Sequence, residues 1–198
     1  DLSSPVKSLV RKQKELVSDL VVQAEQIIRI DSPSDEQLYD AGLLLLKAKK
    51  GLPKDSKLQE LFQEQGTLKL MNSVESEFIA DKKLHELDED LYFVIDEKNN
   101  TIDLTEKGID LISGEEDPEF YILPDIGMKI ADIESSNVSV DEQLKLKDSL
   151  MSDYTIKAER IHSINQLLKA YSLFEKDVEY VLMDNKVKIV DEQTGRIM

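Results

Sequence analysis

Apolar residues return every three or four positions along most of the first 90 residues. Val6, Val10, Val17, Leu20, Val21, Ala24, Ile27 and Ile28 trace one stripe, which predicts an amphipathic helix of about 25 residues. Ser3-Ser4-Pro5 opens it, with serine as cap and proline at the first helical position, and Asp31-Ser32-Pro33 breaks it. Ser34 with Gln37 forms a capping box for a second helix, which carries Leu38, Leu45 and Leu46 and stops at Gly51-Leu52-Pro53. Ser56 with Gln59 repeats the device for a short helix ending at Gly66, and residues 68–87 continue as a less regular helical stretch.

The period then changes. Leu91-Tyr92-Phe93-Val94-Ile95 reads as a strand, residues 96–100 as a five-residue turn, and Thr101-Ile102-Asp103-Leu104 as its alternating partner. Thr105 is placed to cap a short helix ended by Gly114, and Asp117-Pro118 and Pro124 punctuate an irregular helical region. Ser139 with Glu142 opens the longest helix, in which Leu150, Tyr154, Ala158, Ile161, Asn165, Leu168 and Tyr171 keep one face. A second hairpin follows, turning at Asp184-Asn185. Its register sets Tyr180 against Ile189 and Leu182 against Val187 on an apolar face expected to pack. Val181 and Lys188 share the other, wetter face. The expected class is α+β, mostly helical, with a small antiparallel sheet built from the two hairpins. The organisation divides into a helical expansion over 1–90 and a core over 91–198.

Composition narrows the chemistry. The 198 residues carry 41 acidic and 25 basic side chains, a formal charge of −16 spread along the chain. That field repels phosphate backbones, excludes nucleic acid as an expected partner and favours basic ones. Cysteine is absent, so disulfides, thiolate metal sites and a cysteine nucleophile are excluded. No apolar run approaches the ~20 residues of a membrane span, and no secretory leader pattern opens the chain.

Val187-Lys188-Ile189-Val190-Asp191-Glu192 has the look of a strand ending in a magnesium-binding acidic pair. Lys188 interrupts it as on a half-exposed strand, and no Gly-x-x-x-x-Gly-Lys-Ser/Thr loop exists to cradle phosphates. Self-contained nucleotide hydrolysis is therefore not expected. His85 and His162 lack metal-pair spacing, Asp88-Glu89-Asp90 and Glu115-Glu116-Asp117 lack the rhythm of a calcium loop, and no nucleophile elbow accompanies the serines. No catalytic residue, cofactor or metal is expected within this segment.

Two motifs carry a resemblance. The first runs Leu168-Lys169-Ala170-Tyr171-Ser172-Leu173-Phe174, then Asp177-Val178-Glu179-Tyr180-Val181, then Val187 through Thr194-Gly195-Arg196. The second, some seventy residues earlier, is Val94-Ile95-Asp96-Glu97-Lys98 followed by Ile102-Asp103-Leu104-Thr105-Glu106-Lys107-Gly108. Together they resemble the preprotein cross-linking, or preprotein-binding, domain of the SecA preprotein translocase motor ATPase. Residues 4–86 match no motif of that family and read as a lineage-specific expansion.

The resemblance implies a segment inserted in a protein-translocating ATPase that uses ATP and magnesium held outside this chain. It implies a cytoplasmic protein, peripheral at the inner membrane. Unfolded preproteins, signal peptides, the SecYEG channel and the motor domains are the implied partners. Asp191, Glu192, Thr194, Gly195 and Arg196 would form the junction returning to the motor, so the chain is expected to continue beyond Met198. Peptide contact is expected along residues 178–190, through Val178, Tyr180, Val181, Leu182, Lys188 and Ile189, because a strand edge reads backbone and tolerates many sequences. The competing reading is an acidic helical scaffold that docks a partner protein and has structural hairpins only.

Overall fold

The computed structural model describes residues 2–114, 116–174, 176–191 and 194–198. In order they form α1 (Ser3–Ile28), α2 (Asp35–Gly51), α3 (Ser56–Gln63), α4 (Thr67–Ala80), β1 (Phe93–Asp96), β2 (Thr101–Leu104) and α5 (Glu106–Ser113). After these come α6 (Ile126–Ser135), α7 (Val140–Ser172), β3 (Tyr180–Met183) and β4 (Lys186–Ile189), with single 3-10 turns at Leu84–Leu87 and Pro118–Tyr121. The α+β class holds. The two hairpins make two separate two-stranded sheets rather than one, because α5 to α7 lie between them and neither edge of one reaches the other.

Local chemistry explains most boundaries. The capping boxes at Ser34 and Ser139 are both formed, and the Thr105 hydroxyl accepts from Gly108 N–H at 3.1 Å. Two starts differ from the sequence reading. Ser3 lies inside α1, where its hydroxyl sits 3.1 Å from that of Tyr171, so it ties α1 to α7 instead of capping. α3 is capped by Asp55, which accepts from Leu58 N–H at 3.0 Å, and Ser56 is its first helical residue. A short carboxylate reaches the orphan N–H as well as a hydroxyl does, so neighbouring Asp and Ser compete for the role. β1 and β2 pair from Phe93–Leu104 to Asp96–Thr101, which leaves a four-residue turn at 97–100. The Asp96 carboxylate holds that turn, accepting from Asn99 N–H at 3.1 Å and Asn99 Nδ2 at 2.6 Å.

One apolar core runs through the helices and the first hairpin. Val6, Leu9, Val17 and Val21 of α1 meet Leu45 and Leu46 of α2, Met71 of α4, Phe93 and Ile102 of the hairpin, and Ile164 and Leu168 of α7, all essentially inaccessible to water. Gln13, fully buried on α1, ties three elements together. Its Nε2 donates to Gly51 O (3.2 Å) and Phe93 O (2.7 Å), and its Oε1 accepts from Tyr92 N–H (2.9 Å). The amide thus caps the start of β1, satisfying Phe93 O and the Tyr92 N–H just before the strand.

Candidate functional site

The second hairpin leaves the body at the end of α7. Its root is fixed by Lys54, in the turn between α2 and α3, which donates to Leu173 O at 3.0 Å and forms an ion pair with the buried carboxylate of Glu179. From there β3 and β4 pair in the expected register: Tyr180 with Ile189, Val181 with Lys188, Leu182 with Val187, Met183 with Lys186. Asp184 and Asn185 close it with φ of 55° and 58°, the left-handed pair that a two-residue hairpin turn demands.

The faces are the reverse of the expectation that the apolar side packs. Leu182, Val187 and Ile189 are 54, 67 and 60 % exposed, and Tyr180 is half-buried. Val181 and Lys188 are half-buried on the opposite face, and Val178 stands exposed in the turn before β3. The inversion follows from the anchor. Glu179 is turned into the body by Lys54, and the period of two then sends Tyr180 and Leu182 outward.

Pairing geometry shows what the strand edges offer. Beyond a two-residue turn, Met183–Lys186 and Val181–Lys188 exchange hydrogen bonds, so the backbone groups of Tyr180, Leu182, Val187 and Ile189 point to the outer edges. At the root these edges are taken. Tyr180 O accepts from Asp177 N–H at 2.7 Å, and Ile189 O accepts from Met198 N–H at 2.8 Å. At the tip, no backbone group among the described residues pairs with the outward N–H and C=O of Leu182 and Val187. A short length of edge on each strand is open, flanked by apolar side chains.

The proposed junction residues form one turn. Asp191 Oδ1 accepts from Thr194 N–H at 2.7 Å and from the Thr194 hydroxyl at 2.8 Å. Gly195 takes φ of 65° and donates to Asp191 O at 2.7 Å, while Asp191 N–H donates to Arg196 O at 2.9 Å. Gly195 and Arg196 thereby lead the chain back so that Ile197 pairs with Val190. Glu192 lies outside the described residues. The second motif, over 94–108, proves equally architectural. A Cβ on Gly108 would stand 1.8 Å from Tyr92 O, so glycine is required where α5 crosses the hairpin. Among the described residues, no group of three or more His, Asp or Glu side chains is placed to hold a metal ion, and no helix is long and apolar enough to cross a membrane.

Sequence reasoning missed Val187 and the Lys54–Glu179 anchor. Val187 was legible, since it shares the face of Ile189 two positions away. The anchor was not, because its partners are 125 positions apart in the chain.

Comparison with known proteins gives this architecture a family. Residues 72–198 match the family model of the SecA preprotein cross-linking domain. The chain is 44% identical over 200 residues to the protein translocase subunit SecA of Flavobacterium psychrophilum, all of the chain aligning with 18% of that protein. It is 46% identical over 197 residues to the SecA of Parabacteroides distasonis, 98% of the chain covering 17% of it, and 46% identical over 202 residues to that of Cytophaga hutchinsonii, all of the chain covering 18%. The chain thus spans less than a fifth of the length of these relatives. No solved structure gives a significant match. With the motifs, the hairpins and the family model in agreement, the chain belongs to the SecA preprotein cross-linking domain family.

Proposed function

We propose that this chain is the preprotein-holding segment of a SecA-type translocation ATPase, and that its β3–β4 hairpin contacts unfolded polypeptide during ATP-driven passage through SecYEG. The observation that carries the reading is the outward apolar face of Tyr180, Leu182, Val187 and Ile189 beside an open edge at the tip. An extended peptide adds to such an edge through its backbone, and the apolar side chains supply grip without sequence selection. Val178, Val181 and Lys188 would line the approach. Signal peptides are the second substrate class of this reading. ATP and magnesium act in the parent protein, outside this segment, which has no catalytic role of its own. The parent protein works in the cytoplasm and at the inner membrane.

In this reading residues 1–90 buttress the 91–198 core, supported by Gln13 on β1 and Lys54 on Glu179. Asp191, Thr194, Gly195 and Arg196 form the turn through which the chain returns to the motor, together with Glu192. A scaffold with purely structural hairpins leaves the exposed face of β3–β4 without a reason.

The test places photo-reactive probes singly at Val181, Leu182, Val187 and Lys188 in the full-length protein, supplied with ATP, channel and an unfolded preprotein. Crosslinks concentrated at Leu182 and Val187, and lost when the preprotein is omitted, are expected. Absence of preprotein crosslinks from all four positions would reject the hairpin as the contact.

A further inference from the structure

The two open edges of the β3–β4 hairpin differ in the charge beside them. β3 carries no charged residue from Tyr180 to Met183, whereas Val187 of β4 stands between Lys186 and Lys188. The period of two puts both lysines on the face opposite to Val187 and Ile189. Lys186 is exposed and Lys188 half-buried, and neither forms an ion pair among the described residues.

The acids near them are engaged elsewhere or unpaired with them. Glu179, which shares their face at the root, is held by Lys54. The Asp191 carboxylate accepts from Thr194, and Asp184 closes the turn without an ion pair to Lys186. Two ammonium groups therefore flank the open backbone of Val187 on one face, with apolar side chains on the other.

The ladder fixes how these lysines meet a guest strand. The N–H and C=O of Val187 face the open edge, so the residue opposite it on an added antiparallel strand exchanges both hydrogen bonds with it. The two neighbours of that residue then stand opposite Lys186 and Lys188 as non-hydrogen-bonded pairs. This is the closer of the two spacings, with Cα atoms about 4.5 Å apart. Opposite charges in such cross-strand pairs attract, and like charges repel. Towards the root the edge is closed at Ile189, whose carbonyl accepts from Met198 N–H.

Building on the strand addition proposed above, we propose that the β4 edge selects segments in which an apolar residue is flanked on both sides by acidic ones. Lys186 and Lys188 set this selection, while the apolar face supplies grip alone. The formal charge of −16 acts in the opposite sense, favouring basic chains at long range. Charges more than about 10 Å away are largely screened at the surface, so at contact the two facing lysines decide.

Two fluorescent peptides of about ten residues, identical in composition and without net charge, isolate the local effect. One has Glu-Val-Glu at its centre and lysines at its ends; the other has Lys-Val-Lys at its centre and glutamates at its ends. Binding to the full-length protein is read by anisotropy. The acid-centred peptide is expected to bind about three- to tenfold more tightly, and salt should narrow the gap. Lys186→Glu with Lys188→Glu, both side chains reaching the surface, should reverse the order. Equal affinities, or an order that survives the double reversal, would overturn the proposal; a peptide running along β3 would give that result. Val187→Ser separates the two readings. If it weakens both peptides while the order fails, strand addition stands without the selection. If it changes neither, the peptide-holding reading falls and the selection with it.

Discussion

Gln13→Leu isolates the contribution of one buried amide to the seating of the first hairpin. Leucine fits nearly the same volume, so no large cavity opens, but three polar contacts disappear: Gly51 O, Phe93 O and Tyr92 N–H all lose their side-chain partner. Leaving a buried backbone group unsatisfied costs about 1–3 kcal/mol. Gly51 and Phe93 are buried while Tyr92 is only half-buried, so the sum belongs at the low end, about 3–4 kcal/mol. Burying leucine in place of an amide returns about 1 kcal/mol. The net expectation is a loss of about 2–3 kcal/mol, which moves the urea midpoint down by about 1 M at an ordinary slope.

Gln13→Glu provides the internal control. It keeps the acceptor for Tyr92 N–H but turns a second oxygen toward two carbonyls and introduces a buried charge, so it should cost more than leucine at neutral pH. Burial favours the protonated acid, which can donate again, so the deficit relative to glutamine should shrink as pH falls. Equilibrium unfolding followed by far-UV circular dichroism checks both. If Gln13→Leu lies within about 0.5 kcal/mol of the parent, the three backbone groups do not depend on the amide and the reasoning fails.

Three further predictions rest on particular contacts. Lys54→Ala leaves the Glu179 carboxylate without its cation, and exchange of the β3 and β4 amides should accelerate about tenfold while protection in α1 and α2 is unchanged. Gly108→Ala forces a methyl onto Tyr92 O and should destabilise by about 2 kcal/mol or more, against the small gain usual for this exchange within a helix. The Tyr121 hydroxyl donates to Glu116 at 2.9 Å, and burial together with that carboxylate holds its pKa above the ordinary phenol value. Because the folded value is the higher one, this contribution is complete below the unfolded pKa and disappears as pH rises through the folded pKa. An ultraviolet phenolate titration should therefore show Tyr121 ionising late, and less so in Glu116→Gln, where burial alone still holds it up.

Local signals wrote most helices and the register of the second hairpin plainly, while the turn of the first hairpin is one residue shorter than its pattern suggests. Ser34 with Gln37, Ser139 with Glu142, Thr105 and Asp184-Asn185 each act within a few residues, so the sequence pattern and the structure coincide there. What a periodic pattern leaves open is which face meets the body. The alternation along 180–189 is equally compatible with the apolar side facing in or out. The choice falls to Lys54, far away in the chain, which turns Glu179 inward. The long stripe on α7 shows the same gap. Ile164 and Leu168 find partners on α1 and on the first hairpin, while Leu150 and Tyr154, on the same periodic face, stay only half-buried. Period reports a face; it does not report whether anything is there to cover it.

The motif residues and the exposed apolar surfaces therefore divide the chain's tasks. Thr105 and Gly108 seat α5 on the first hairpin, and Asp191, Thr194 and Gly195 fold the turn beyond β4. These positions demand particular residue types because backbone groups approach closely or adopt left-handed angles. Leu182, Val187 and Ile189 are under no such geometric demand, since almost any β-forming residue would satisfy the same ladder. Their apolar character on a solvent-facing strand carries a desolvation benefit only when something is laid upon them, and a chain with a charge of −16 had polar alternatives throughout. For this hairpin the motif residues build the platform, and the exposed hydrophobicity of its outer face is what supports the peptide contact proposed above.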